Sequence, residues 1–368
     1  MPSVDFTQVH YEQELDSKLS SLAKNFQLND IELPSAEVYR SPLINFRMRA
    51  EFRIWHENET VNYAMHHPET KEVYTIDEFP IASLSICKRM KPLLETINQN
   101  YDLRHKLFQV EFLSTTKDDV LISLIYHRPL DSDWEKQATK LAKKLSAHII
   151  GRSRKQKVVL SQDFVMEEMI VNNTSFHYQQ IENSFTQPNA AICQSMLQWA
   201  TDQAKKINSV TKQDLLELYC GNGNFTLPLS TQFKKVLATE VSKTSVRSAQ
   251  FNIQKNNIEN VDIIRLSSEE TVQALNKERD FRRLKEIDIN SYDFSTVLVD
   301  PPRAGLDPIT LELAKRFKNI IYISCNPDSF IKNIDCLSDF SIKDFAVFDQ
   351  FPYTRHLEIG AVLIRERL

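Results

Sequence analysis

Asp214-Leu215-Leu216-Glu217-Leu218-Tyr219-Cys220-Gly221-Asn222-Gly223-Asn224-Phe225 is a short apolar run that ends in two glycines one residue apart. A run of this length, bounded by a glycine turn, reads as a buried strand leaving its sheet through a loop whose backbone can approach a ligand closely. From about Gln187 onward, further apolar strands alternate with amphipathic helical stretches. The strands fall at 215–219, 235–239, 261–266, 296–299, 320–324, 345–348 and 357–364. Seven strands with helical crossovers predict a doubly wound, Rossmann-like α/β sheet. The charge-rich stretch from Arg279 to Asn290 reads as a solvated excursion between the third and fourth strands.

In an open α/β sheet, ligands sit at the carboxyl ends of strands, near the point where strand order reverses. Four features fall at such ends. Gly221-Asn222-Gly223 follows the first strand. Glu240 ends the second, 23 residues after Glu217, where a carboxylate can take both hydroxyls of a ribose. Asp300-Pro301-Pro302-Arg303 closes the fourth strand, and Cys325 closes the fifth, in Tyr322-Ile323-Ser324-Cys325-Asn326-Pro327. Asn326 is a good N-cap and Pro327 suits the first helical position, so Cys325 faces a helix start. That placement is expected to lower the thiol pKa and suits a nucleophile; a buried structural cysteine is the other reading. Because Asn224-Phe225-Thr226 follow Gly223, the loop lacks the third glycine of a dinucleotide fingerprint. An adenosine ligand without phosphates, such as S-adenosylmethionine, fits better.

A strand-end cysteine in a methyltransferase points to one chemistry. Carbon 5 of a uracil is a poor nucleophile toward a sulfonium methyl group, but thiolate addition at carbon 6 makes the ring an enolate whose carbon 5 can attack. A base must then take the carbon-5 proton so that the thiol can leave. His356 and Glu358 lie at the entrance of the last strand, and Glu358 is the chosen base. By itself, a glutamate entering a strand is more often a surface residue, so the role leans on the resemblance given below.

The first half reads α+β. In INFRMRAEFRIWH, from Ile44 to His56, Phe46, Met48, Ala50, Phe52 and Ile54 alternate with Arg47, Arg49, Glu51, Arg53 and Trp55, a half-buried strand with an arginine face. Residues 106–113 and 120–127 predict a hairpin around Lys117-Asp118-Asp119, residues 134–147 a helix, and 148–160 two short strands around a basic turn. Between Lys136 and Lys157 stand eight Lys/Arg and no acid. A solvated face is one reading of this run, and phosphate contact through Arg152, Arg154 and Lys155 is the other.

At 368 residues, 42% hydrophobic and 26% charged, the chain is expected to form two globular domains, 1–180 and 181–368. Cys87, Cys193, Cys220, Cys325 and Cys336 are odd in number and form no C-x-x-C, so no disulfide framework, zinc site or iron–sulfur cluster is expected. Neither a leader nor a membrane span is legible, and the expectation is a cytoplasmic monomer. A net charge of −4 excludes a uniformly basic coat, so RNA would have to be held by local patches.

The chain resembles the S-adenosylmethionine-dependent RNA 5-methyluridine methyltransferases. The likeness runs over nearly its whole length, through Phe46-Arg-Met-Arg-Ala-Glu-Phe-Arg-Ile-Trp-His56, Ser184-Phe-Thr-Gln187-Pro-Asn189, the Gly221 loop, Val299-Asp-Pro-Pro-Arg303, Ser324-Cys-Asn-Pro327 and His356-Leu-Glu358. The resemblance implies a class I methyltransferase domain behind an α+β RNA-binding domain. It implies that Gln187, Tyr219, Asn224, Glu240 and Asp300 meet S-adenosylmethionine, that Cys325 is the nucleophile and that Glu358 is the base. The ribosomal-RNA members of this family carry an N-terminal TRAM barrel and a four-cysteine iron–sulfur site, both missing here. The implied partner is therefore tRNA, its target the T-loop uridine at position 54 in tRNA numbering, with T-loop-like tmRNA a further substrate. That uridine must be extruded from a folded loop, and Arg49, Phe52, Arg53 and Phe108 are the candidates to hold the opened RNA. Strand alternation sets Phe52 opposite to Arg49 and Arg53. Three rival readings stay open: an rRNA 5-methyluridine methyltransferase, an RNA N-methyltransferase in which Cys325 is incidental, and an RNA-folding module whose methylation is secondary.

Overall fold

The computed structural model describes residues 5–67 and 70–366. The chain opens with α1 (Gln8–Leu28) and β1 (Ala36–Tyr39). It continues through β2 (Arg49–Glu57), β3 (Thr60–His66), β4 (Val73–Ile76), α2 (Leu84–Asn98), α3 (Tyr101–Arg104), β5 (Leu107–Ser114), β6 (Val120–Tyr126), α4 (Ser132–Leu145), β7 (His148–Ser153) and β8 (Gln156–Val159). A hairpin of β9 (Phe164–Val171) and β10 (Thr174–Ile181) leads to α5 (Ala190–Ile207). Then come β11 (Asp214–Leu218), α6 (Thr226–Leu229), β12 (Val236–Thr239), α7 (Lys243–Lys255), β13 (Val261–Ile264), α8 (Ser268–Leu275), β14 (Phe294–Val299), α9 (Pro308–Ala314), β15 (Asn319–Ser324), α10 (Pro327–Asp335), β16 (Phe340–Phe348) and β17 (Glu358–Arg365).

Two compact units result, and they interleave in sequence. Among the described residues, one comprises 42–67, 70–168 and 180–190, the other 5–41, 169–179 and 191–366. The expected cut at 180/181 is therefore corrected: residues 5–41 do not belong with the α+β domain. The backbone of β1 pairs in parallel with β16, Ala36 opposite Phe345 through Tyr39 opposite Phe348. Phe26 of α1 packs its ring 6.0 Å from Phe330 and 5.6 Å from Phe345.

The larger unit is built on an eight-stranded sheet ordered β1-β16-β17-β15-β14-β11-β12-β13. All seven strands expected from the sequence are in it, with β1 as an eighth on the edge. Only β17 runs against its neighbours β15 and β16; β1–β16, β15–β14, β14–β11, β11–β12 and β12–β13 are parallel. The strand order reverses between β11 and β14, so their carboxyl ends form the crevice where ligands bind. Every residue of β11 and β15 is buried, as the apolar runs require of central strands covered on both faces. Gly360 in β17 is obligatory for packing, since a Cβ there would lie 2.6 Å from the Trp199 ring of α5.

The smaller unit carries a seven-stranded sheet, β4-β3-β2-β5-β6-β7-β8, antiparallel except where α4 crosses from β6 to β7. The predicted hairpin, helix and short strand pair are all present as β5–β6, α4 and β7–β8. The arginine strand begins at Arg49, because Arg47 instead bridges to Ala82 and Asn189. The 279–290 excursion is tethered rather than fully solvated: Phe281 is buried, with the guanidinium groups of Arg279 and Arg283 at 4.8 and 5.8 Å from its ring centre.

Candidate functional site

Three strand ends bring the reactive side chains together. Asp300 follows β14, Cys325 follows β15, and Glu358 opens β17, whose antiparallel course returns it to the same edge. In register, Val299 lies opposite Tyr322, and Ser324 opposite Ile359. The three residues therefore stand on adjacent strands at one end of the sheet. The helix start after Cys325 is built as the sequence predicts: Asn326 accepts from the Asp328 N–H at 3.2 Å, and Pro327 occupies the first turn.

The electrostatics of the thiol run opposite to the expectation from the helix terminus. Cys325 is half-buried, and its pKa is pushed up to about 11 by burial, then by the negative charges of Glu358 and Asp300. These outweigh the lowering by a backbone hydrogen bond at Cys325 and by the Arg303 charge. Burial likewise lifts the Asp300 carboxyl to about 7 although the residue keeps some surface, and it holds Glu358, 2% exposed, well above the carboxylate range, with Asp300 adding to the rise. Two carboxyls and a thiol thus compete for little negative charge.

Beside this edge, the glycine turn is shaped by φ of +57° at Gly221 and +84° at Gly223. No atom lies within 4 Å of where a Cβ at Gly221 would stand, whereas one at Gly223 would meet the Leu227 side chain at 2.9 Å. The Glu240 carboxylate accepts from the N–H groups of Gly221 at 3.1 Å and Ser242 at 2.7 Å, which fixes it next to the turn. Tyr219 adopts a left-handed φ of 62°, costly for a non-glycine residue, and its hydroxyl lies 3.3 Å from Ser268 Oγ. Asn224 is anchored by its carbonyl, which accepts from the Tyr178 hydroxyl at 3.1 Å, and by its side-chain amide 3.6 Å from Cys193 Sγ. An open glycine face, a fixed carboxylate and the absence of a third glycine fit a phosphate-free adenosine ligand. Gln187 is half-buried and belongs to the 180–190 segment of the other unit.

A cleft of about 590 Å³ opens at Cys325, walled on one side by α1 through Glu14, Lys18 and Asn25 and on the other by Arg303, Arg355 and His356. Nothing in the sequence of α1 announces this contribution. Arg303 Nη2 donates to His356 Nδ1 at 3.3 Å, and burial with the nearby Arg303 and Arg355 charges keeps the His356 pKa low.

In the smaller unit, the expected RNA residues divide. Arg53 is exposed, with its guanidinium 3.8 Å over the half-buried Phe108 ring. Arg154 and Lys155 are placed at the β7–β8 turn, Lys155 exposed. Phe52 is 1% exposed and packs against Tyr63, Phe79 and Phe112, so its assignment to RNA is overturned: strand parity turns it into the core. Arg49 donates to the carbonyls of Glu182 and Ser184, at 2.9 Å each, and Arg152 forms a two-bond pair with the buried Glu182 at 2.6 Å. Both guanidinium groups hold internal structure. Trp55 is exposed on the same outward face as Arg53, as strand alternation predicts, whereas Phe185, 74% exposed, carries no signal in the sequence beyond its type.

The order β13-β12-β11-β14-β15-β17-β16, with one antiparallel strand and a glycine turn after β11, is that of a class I methyltransferase. The family described as tRNA (Uracil-5-)-methyltransferase matches residues 10–366, and the chain belongs to it. A tRNA/tmRNA (uracil-C(5))-methyltransferase of Cellvibrio japonicus is 52% identical over 364 residues, covering 99% of this chain and 98% of the relative. One of Acinetobacter baylyi is 52% identical over 360 residues, covering 96% and 98%. The fold matches the crystal structure of the Pyrococcus abyssi tRNA (uracil-54, C5)-methyltransferase in complex with S-adenosyl-L-homocysteine, with TM-score 0.72 and 20% identity over 98% of this chain and 86% of that one.

Proposed function

We propose that this enzyme methylates carbon 5 of a uracil in tRNA, at the T-loop uridine of position 54 and in T-loop-like tmRNA, with S-adenosylmethionine as donor and Cys325 as covalent nucleophile. The observation that carries the proposal is the convergence of Asp300, Cys325 and Glu358 on three adjacent strand ends. Membership of the family and the names of its relatives support the substrate. When bound, S-adenosylmethionine supplies an electrophilic methyl group and a positive charge. Glu240 would hold its ribose, and Tyr219, Asn224 and Asp300 would complete its contacts, with Gln187 kept in the set by the family resemblance.

Cys325, its proton released to solvent through the open cleft, adds as thiolate to carbon 6 of the uracil, and the electron pair of the 5,6 double bond moves into an enolate at carbon 4. Carbon 5 then takes the methyl group. Glu358, with one carboxyl held in low dielectric, is a strong base once ionised; it removes the carbon-5 proton, the double bond reforms, and Cys325 leaves as thiolate. A positive charge bound near Asp300 would favour the ionised forms of all three groups, so the site would gain reactivity with its donor in place. Arg53 over Phe108, Arg154 and Lys155 would contact RNA. The proposal includes action as a monomer in the cytoplasm, where tRNA is matured. No helix among the described residues is long and apolar enough to cross a membrane.

The test is to treat unmodified tRNA with purified protein and labelled S-adenosylmethionine, map 5-methyluridine, and ask whether a T-arm hairpin with 5-fluorouridine traps Cys325. Methylation that yields no 5-methyluridine and no trapped adduct would favour an amine-directed reaction, and 5-methyluridine formed without an adduct would remove Cys325 from the mechanism.

A further inference from the structure

Helix α1 lies far in sequence from every reactive residue, yet it touches the segments that carry Cys325 and Glu358. Lys18 is almost buried, its side chain 8% exposed, and its Nζ donates to Asp349 Oδ1 at 2.7 Å and to the Phe351 carbonyl at 3.0 Å. The Asp349 side chain is 1% exposed. These contacts fall at the start of the loop between β16 and β17, which ends at Glu358. Tyr353 in that loop has φ of 60°, and its ring is packed by Phe6, His10 and Tyr11 at centroid distances of 5.2, 6.4 and 6.3 Å. Two turns beyond Lys18, Asn25 Nδ2 donates to Asp328 Oδ1 at 2.6 Å, three residues past Cys325.

A buried ion pair is a poor device for stability, since well-packed apolar residues often do as well, and in some proteins it serves to hold one geometry. We propose that α1 is a clasp on the catalytic loop, with Lys18 a positioning residue that sets Glu358 for proton removal. The idea rests on the function proposed above. A loop held at its start by a buried charge, at its middle by a cluster of rings and at its end by β17 has little freedom left. Releasing the first hold lets the loop shift while leaving Gly221, Glu240 and Cys325 in place.

The experiment compares wild-type protein with Lys18→Met on a T-arm hairpin of ordinary RNA, measuring turnover, S-adenosylhomocysteine affinity and the denaturation-resistant protein–RNA adduct. Displacing a catalytic group by about 1 Å costs on the order of 100-fold in rate. Turnover of Lys18→Met should fall by about that factor. Its S-adenosylhomocysteine affinity should hold, and the adduct should accumulate, because addition and methyl transfer precede the step that Glu358 serves. A general loss of structure would lower turnover, affinity and adduct together, and that result overturns the proposal, as does wild-type behaviour on all three. Should Lys18→Met fail to give a cooperative melt, Lys18→Gln, which can still donate to the Phe351 carbonyl, is read by the same adduct criterion. Absence of 5-methyluridine from the wild-type reaction would instead refute the proposed function.

Discussion

The resting thiol of Cys325 should be slow toward alkylation, and Glu358 should be part of the reason. Burial and the carboxyls of Glu358 and Asp300 raise its pKa from 9.0 to about 11. At pH 7.5 that lowers the thiolate fraction about 100-fold, while the more basic thiolate regains about tenfold through a Brønsted slope of about 0.4 to 0.5. The net expectation is iodoacetamide labelling about tenfold slower than for an ordinary thiol. Glu358→Gln removes one negative charge but not the burial, so it should restore only part of the rate. Because the Glu358 pKa is raised, its charge develops only as pH climbs, and the advantage of the variant should therefore grow from pH 6 to pH 9. Timed labelling followed by tryptic mass spectrometry reads this directly, since Lys332 separates Cys325 from the exposed Cys336, which serves as internal reference. Half-burial also slows access, but equally in wild type and variant. Cys325 labelling as fast as Cys336 in the wild type, or a Glu358→Gln rate identical to wild type across that pH range, would refute the account.

The edge where Asp300, Cys325 and Glu358 meet was legible because its signals are short in range. Gly221 and Gly223, the Asp300-Pro301-Pro302 stop and the Cys325-Asn326-Pro327 helix start each announce a strand end within a few residues, and a doubly wound sheet converts strand ends into one site. What was not legible depends on residues far apart in sequence. The strand β1, four residues with no alternating burial, joins the sheet through backbone pairing with β16, and nothing in its composition names that partner. Tyr11, Leu15, Leu22 and Phe26 mark the buried stripe of α1, but the face they cover is built some three hundred residues later. The sign of the Cys325 shift failed for the same reason: the helix start is local, whereas burial, Glu358 and Asp300 arrive through the fold. In the smaller unit, parity alone placed Phe52 correctly away from the arginines, but charge alone could not show that Glu182, 30 residues downstream, already occupies Arg152.

Cys325→Ala should abolish methyl transfer with S-adenosylhomocysteine affinity retained, and turnover within about tenfold of wild type would remove it as nucleophile. Glu358→Gln should accumulate adduct with ordinary RNA; free RNA with turnover intact would hand proton removal to another group. Arg154→Glu with Lys155→Glu should flatten the slope of log affinity against log salt by roughly one unit for each phosphate the variant no longer neutralises, and an unchanged slope would leave that turn a solvated surface. Arg152 is left out of this variant because reversing it would strand the buried Glu182. The last prediction concerns Glu217 in the middle of β11, 1% exposed, whose pKa is raised from 4.5 to about 8 by burial, with the Thr226 hydroxyl offsetting part and the Asp300 charge adding. A carboxyl raised on folding favours the fold while protonated, so its contribution is complete below about 4.5 and is lost as pH rises through about 8. The loss is worth up to about 5 kcal/mol. Glu217→Gln mimics the protonated acid at every pH, so denaturant melts should show it close to wild type at pH 5 and increasingly more stable than wild type toward pH 9. Parallel stability curves for the two proteins would mean that Glu217 is charged in the fold, and would require a buried counter-charge that the described residues around β11 do not supply.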